Sequence, residues 1–411
     1  VQVYLDHAAT TPMLPEAIAA YAEAMAVVGN PSSIHSQGQQ AKRMLEEARE
    51  SVAASLGCDP IEVVFTSGGT EAINLAIKGL YWARKPRPRI LVPGGEHHAT
   101  IDTVEWLVGA ENAAAEWLPL DAEARIRLDV ARAALENDPA SIALLTLLWA
   151  NNEVGTIQSV ASLAALAAEH GVPMHVDAVA AYGHLAIDFA ELRAHTGSGT
   201  AGLVALSVSA HKIGGPVGIG ALVLSRQASV VPLVHGGGQQ RDVRSGTQDL
   251  AAAVSFAVAA QHASARRVQE SHRLARLRDR LIAGVHAAVP DARLSGPAVP
   301  EAAEGPAAER LPMNAHFTFP GAQGDSLLFL LDASGVSVST GSACQAGIPE
   351  PSHVVLAMGR SEADARGALR ITLGHTTTDA DVDAFLAALP AAYAQASRAG
   401  LADRTTRLGA R

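Results

Sequence analysis

From about residue 41 the apolar and polar positions switch repeatedly between two periods. A helix-like spacing runs from Ala41 to Leu56, and an unbroken apolar run follows from Ile61 to Thr66. Gly-rich punctuation then leads into another helix-like stretch beginning at Glu71. Further apolar runs of strand length lie at Arg89 to Val92, Ile142 to Leu148, Pro173 to Val176, Leu203 to Ser207 and Ile219 to Leu224, and Val160 to Glu169 has helical spacing between two of them. Strands apolar on both faces, alternating with helices, imply an α/β protein with a mainly parallel sheet covered on both sides.

The rhythm changes after Thr247. A long helical run, Leu250 to Val289, has no strand partner early on and marks a boundary. A stretch rich in Pro, Ala and Gly, Pro290 to Leu311, then opens a second region. Its strand candidates are Ala315 to Phe319, Val336 to Ser339 and Leu369 to Leu373, and Asp379 to Ala396 reads as a closing helix. At 411 residues the chain exceeds the usual size of one domain. The expected division is a large domain over 13–260 and a smaller α+β domain formed by 1–12 with 261–411.

Composition narrows the function. Apolar residues make up 48% of the chain and charged residues 18%, the balance of a compact globular protein. A net charge of −10 argues against nucleic acid as a partner, because binding a phosphate backbone relies on clustered Lys and Arg. Arg404, Arg407 and Arg411 at the end of the chain read as a solvated tail. Two cysteines cannot build a disulfide framework, which suits a reducing compartment and a cytoplasmic location. The first residues lack the basic and apolar blocks of a signal peptide, and no apolar run reaches bilayer-spanning length, so no membrane association is expected.

Three segments carry candidate chemistry. Phe65 to Glu71 follows a strand and enters a helix through Gly68-Gly69-Thr70, where a phosphate could meet free backbone N–H groups; the segment fits neither the dinucleotide glycine spacing nor the P-loop. Asp177 ends a buried-strand pattern, the place where open α/β sheets bind ligands. Lys212 sits in Ser209-Ala210-His211-Lys212-Ile213-Gly214-Gly215, a small-residue turn after another strand. Partial desolvation there lowers a lysine's pKa and leaves a neutral amine able to condense with an aldehyde. A phosphate anchor, a carboxylate for a pyridine nitrogen and an amine for an aldehyde are together what pyridoxal 5′-phosphate (PLP) requires.

Cys344 lies among small polar residues, Ser339 to Gly347, and reads as a reactive thiol on a loop, whereas Cys58 in Leu56-Gly57-Cys58-Asp59-Pro60 reads as structural. His97 and His98 are adjacent and lack the Cys or carboxylate neighbours of a metal site, so no metal is expected.

With these residues the chain resembles the cysteine desulfurases, PLP enzymes of fold type I in aminotransferase class V. The likeness runs from Tyr4 to about Ala396. It rests on Tyr4-Leu5-Asp6-His7-Ala8-Ala9-Thr10-Thr11-Pro12, Gly29-Asn30-Pro31-Ser32-Ser33, Thr66-Ser67-Gly68-Gly69-Thr70-Glu71, Glu96-His97, Asn151-Asn152-Glu153-Val154-Gly155 and His211-Lys212. His235-Gly236-Gly237-Gly238, Arg244-Ser245-Gly246-Thr247 and the Cys344 segment through Glu350-Pro351-Ser352-His353 complete it.

The resemblance implies a seven-stranded sheet flanked by helices, a homodimer and a sulfur-acceptor partner. It further implies that Lys212 holds the PLP aldehyde, Asp177 pairs with the ring nitrogen and His97 stacks on the ring. Gly69, Thr70, Ser209 and His211 would hold the phosphate, with Thr247 contributed by a second subunit. Asn152 would lie beside the ring oxygen, Arg370 would bind the substrate carboxylate with Asn30 and Asn152 on the substrate side, and Cys344 would accept sulfur from L-cysteine. The Cys344 segment is similar in length to the subgroup with a long, mobile catalytic loop. The chain departs from the family at Ala180, commonly Gln, at Ala210, commonly Gly, and at His375, commonly Arg. Selenocysteine lyase or another PLP-dependent C–S lyase is the alternative activity, and a catalytically silent sulfur-relay scaffold a further one.

Overall fold

The computed structural model describes residues 2–196, 199–299, 309–341 and 350–402. Cys344 lies outside the described residues. In chain order the strands are β1 (Val3–Tyr4), β2 (Val63–Thr66), β3 (Arg89–Pro93), β4 (Ala114–Leu118), β5 (Ile142–Leu148), β6 (Pro173–Asp177), β7 (Gly202–Ser209), β8 (Gly220–Leu224), β9 (Arg293–Leu294), β10 (Asn314–Thr318), β11 (Val336–Ser337) and β12 (Ala368–Thr372).

Among the described residues, seven of these strands form one sheet in the order β2-β8-β7-β6-β5-β3-β4. It is parallel except at β8, which runs antiparallel to both β2 and β7. Strands β5, β6, β7 and β8 are buried at every position. That explains their unbroken apolar runs: neither face meets water. Strand β4 was not anticipated, because Ala114-Ala115-Glu116-Trp117-Leu118 is an edge with Trp117 42% exposed and carries no apolar period. The first strand starts two residues later than expected. Pro60–Glu62 form a 3₁₀ turn in which Asp59 and Glu62 make a capping box, and β2 begins at Val63.

Helices α1 (Pro15–Met25), α2 (Ser36–Leu56), α3 (Gly69–Ala83), α4 (His98–Glu111), α5 (Leu128–Glu136), α6 (Val160–Glu169) and α7 (Phe189–Ala194) accompany this sheet, and α8 (Leu250–Ala288) is the long helix foreseen from the sequence. Its Ala-rich first half packs close against α1 and α2. Its second half reaches β10 and the closing helix, Asp379–Ala402, which runs on through Pro390.

The remaining strands make a three-stranded antiparallel sheet, β12-β10-β9, and a parallel pair, β1-β11. The N-terminal segment is thereby tied to the end of the chain. Asp6 bridges to Thr372, and Ser339 bridges to Arg370. No helix among the described residues is long and apolar enough to cross a membrane.

Candidate active site

The carboxyl ends of β6 and β7 deliver the two central groups. Asp177 is the last residue of β6, and its neighbour in the ladder is Leu148 at the end of β5. Its side chain is buried, with Oδ1 accepting the Val179 N–H at 2.9 Å. Burial pushes this carboxyl up to about 6. After β7 the chain makes a 3₁₀ turn, Ala210–Lys212, which turns Lys212 back toward the N-terminal segment. The Lys212 ammonium donates to the carbonyls of Ala8 and of Ala9, the latter at 2.8 Å. Burial, followed by the nearby Arg370 charge, pushes it down to about 8. Lys212 is half-buried, and the lowered pKa is the direction that partial desolvation in a small-residue turn gives.

His97 caps α4, with Nδ1 accepting the Ala99 N–H at 3.0 Å, so its proton resides on Nε2. Burial and then the Lys212 charge hold the imidazole down near 4, in the neutral form. His211 is lowered to about 4 for the same two reasons, and its Nδ1 lies 3.2 Å from Thr10 Oγ1. Arg370, on β12, is 5% exposed. Its Nη1 donates to the Asn152 carbonyl at 3.0 Å and its Nη2 to Asp6 Oδ1 at 2.9 Å, while Nε has no partner among the described residues.

These groups share one cavity of about 480 Å³, whose walls include Gly69, Thr70, His97, Asn152, Asp177, Ser209, His211, Lys212 and Arg370. Ala180 also lines it. Gly69, at the first turn of α3, is a point of close approach: a Cβ there would lie 2.7 Å from Val179 Cγ2. Asn30 and Thr247 are exposed and do not line the cavity. Asn30 instead accepts the Ser32 N–H, at 2.9 Å. The Arg244 that precedes Thr247 pairs with Glu71 of α3 at 2.9 Å, which ties that segment to the cavity's glycine-rich edge.

Residue-by-residue reading of the sequence had assigned no role to Asp6, Glu153 or His353, all of which line the cavity. The buried Glu153 accepts from Ser352 Oγ at 2.5 Å and lies beside Gly341, so it touches the chain on both sides of 342–349. His353 Nε2 lies 2.8 Å from the Glu96 carbonyl. Each belongs to a segment singled out above, but a lone carboxylate or imidazole in a loop gives no sign of its partner across the fold. Among the described residues no group of three or more His, Cys, Asp or Glu is arranged to hold a metal ion.

The donor set fits PLP. A desolvated amine, a buried carboxyl of raised pKa and a helix N-terminus stripped of side chains by glycine surround a single cavity, and each suits a different part of the cofactor.

Comparison with known proteins agrees. The aminotransferase class-V family model matches residues 3–385. An IscS-like cysteine desulfurase of Mycobacterium tuberculosis is 52% identical over 403 residues, spanning 97% of this chain and 98% of its own. Among solved structures, a NifS-like protein superposes with a TM-score of 0.84 at 29% identity, covering 96% of this chain and 100% of that one. The structure of SspA in complex with cysteine superposes with a TM-score of 0.73 at 30% identity, covering 90% and 98%. This chain belongs to the cysteine desulfurases of the aminotransferase class-V family, whose cofactor is PLP.

Proposed function

We propose that the chain removes sulfur from L-cysteine, releases L-alanine and carries the sulfur as a persulfide on Cys344 to an acceptor protein of iron–sulfur cluster assembly or of thio-cofactor or tRNA thiolation. The observation that carries this reading is the desolvated Lys212 amine, in one cavity with Asp177 and Arg370. The fold neighbour SspA, solved with cysteine, supports the substrate.

PLP, when bound, supplies an aldehyde for Lys212 and an electron-withdrawing ring that acidifies the substrate's α-proton. Asp177, oriented by the Val179 N–H, keeps the ring nitrogen protonated; a cation beside it reverses the effect of burial and ionises the carboxyl. Gly69, Thr70, Ser209 and His211 would hold the phosphate, with Thr247 of a second subunit in a homodimer completing that grip. His97 would flank the ring, and Asn152 would serve its oxygen. Arg370 takes the substrate carboxylate, with Asn152 and Asn30 on the same side.

Lys212 would take the substrate's α-proton, a task for which a base that is free near neutral pH is suited. Cys344 then attacks the substrate sulfur as the thiolate. An S–S bond forms while the bond from sulfur to the substrate β-carbon breaks, and Lys212 returns a proton to the three-carbon product. The balance is one L-cysteine and one thiol giving one alanine and one persulfide. In this reading 13–260 is the cofactor-binding body, and 1–12 with 261–411 is the smaller domain that brings Arg370 and Cys344. The protein works in the cytoplasm, where both cysteines stay reduced.

The test is mass spectrometry of the protein after L-cysteine is added without an acceptor. Cys344 gains one sulfur, alanine appears in equal amount, and Lys212→Ala abolishes both. Sulfide or selenide release that persists undiminished in Cys344→Ala contradicts the reading and assigns the chain to the eliminating lyases.

A further inference from the structure

Glu96 lies behind the cavity wall, next to His97 in sequence, and is 3% exposed. Three connections meet at this residue. Its Oε1 accepts the Leu148 N–H at 3.0 Å, and Leu148 is the ladder neighbour of Asp177. Its carbonyl lies 2.8 Å from His353 Nε2, just after the segment that carries Cys344. The next residue, His97, caps α4. The second carboxyl oxygen, Oε2, is buried and has no hydrogen-bond partner among the described residues.

An ionised carboxylate would be out of place there. Charge taken out of water needs a cation or several donors, and among the described residues the Glu96 carboxyl has a single backbone N–H. Among the described residues the titratable groups beside it are Asp177 from β6, His353, and its sequence neighbour His97. None of these is a permanent cation, and Asp177 is a second buried carboxyl. Burial and Asp177 both raise the Glu96 pKa well above the usual carboxylate range. A cofactor cation would ionise Asp177, and its charge would then raise Glu96 further toward the uncharged form.

We propose that Glu96 is a positioning residue of the reaction, carried as the neutral carboxylic acid, which locks the strand end bearing Asp177 to the turn bearing His97. It touches neither substrate nor cofactor. It holds the two flanking groups between which the ring is bound, and so rests on the PLP reading of the cavity.

Glu96→Gln preserves shape, neutrality and the acceptor for Leu148, whereas Glu96→Ala removes the acceptor. Infrared difference spectra of the full chain as purified, wild type against Glu96→Gln at neutral pH, should show a protonated-carboxyl band present only in the wild type. The melting temperature of Glu96→Gln relative to wild type should rise as pH increases from about 4.5, since an acid whose folded pKa is raised loses its stabilising contribution as pH climbs. Glu96→Gln should keep kcat within about threefold of wild type with the same pH profile of the visible band, while Glu96→Ala lowers kcat about tenfold or more with KM for L-cysteine little changed. An ionised-carboxylate band in place of the protonated one, or a stability difference independent of pH, overturns the proposal. So does a Glu96→Gln enzyme as impaired as Glu96→Ala. The infrared and melting measurements do not depend on turnover, so their failure is separable from a failure of the desulfurase reading.

Discussion

Replacing Lys212 by Met should make the cofactor-free protein more stable at pH 7. The amine is held down to about 8 from its ordinary 10.5, chiefly by burial. At about 1.4 kcal/mol for each pH unit, the folded state carries a penalty of about 3 kcal/mol wherever the lysine must be charged. Met is similar in length, apolar and flexible enough to fill the same space. It gives up the bonds to the Ala8 and Ala9 carbonyls, worth about 1 kcal/mol each. The net gain is therefore about 1–2 kcal/mol at pH 7. Between the folded and unfolded pKa values the unfolded chain binds the extra proton, so wild-type stability rises with pH from about 8 to 10.5 and the advantage of Met fades over that window. Urea unfolding of both cofactor-free proteins at pH 7, 9 and above 10 measures this. A variant no more stable than wild type at pH 7, or an advantage that does not shrink with pH, refutes the claim that Lys212 is a desolvated amine.

Three further perturbations probe the cavity. Asp6→Asn removes the carboxylate that pairs with Arg370 and that raises the Lys212 pKa; the pH dependence of cofactor recapture should move to lower pH, and an upward move counts against the charge arrangement. Gly69→Ala sets a Cβ 2.7 Å from Val179 Cγ2. Overpacking of that kind costs about 1–3 kcal/mol, so cofactor affinity measured by equilibrium dialysis should fall about tenfold, and Val179→Ala in the same chain should restore most of it. Ala180 lines the cavity where the family commonly has Gln, and Ala180→Gln should tighten PLP and shift its visible band; an unchanged affinity and spectrum contradict a role for this position.

Strands buried on both faces, β5 to β8, were legible because burial leaves an apolar run with no interruption. The edge strand β4 and helix α1, whose buried residues are only Ala17 and Ala24, were not, because each is held by neighbours rather than by its own pattern. Lys212 and Asp177 could be found from the sequence since each follows a strand at its carboxyl end. Gly69 could be found because a glycine-rich turn between a strand and a helix start lets a phosphate approach the backbone. Asp6, Glu96 and Glu153 act through partners hundreds or tens of residues away, Arg370, Leu148 and Ser352, and a linear pattern holds no trace of such pairings.

The most direct test is borohydride reduction of the purified protein followed by peptide mass mapping. The account predicts one pyridoxyl group per chain, on the peptide containing Lys212, and its loss in Lys212→Ala. Attachment to a different lysine, or no attachment after incubation with added PLP, contradicts it.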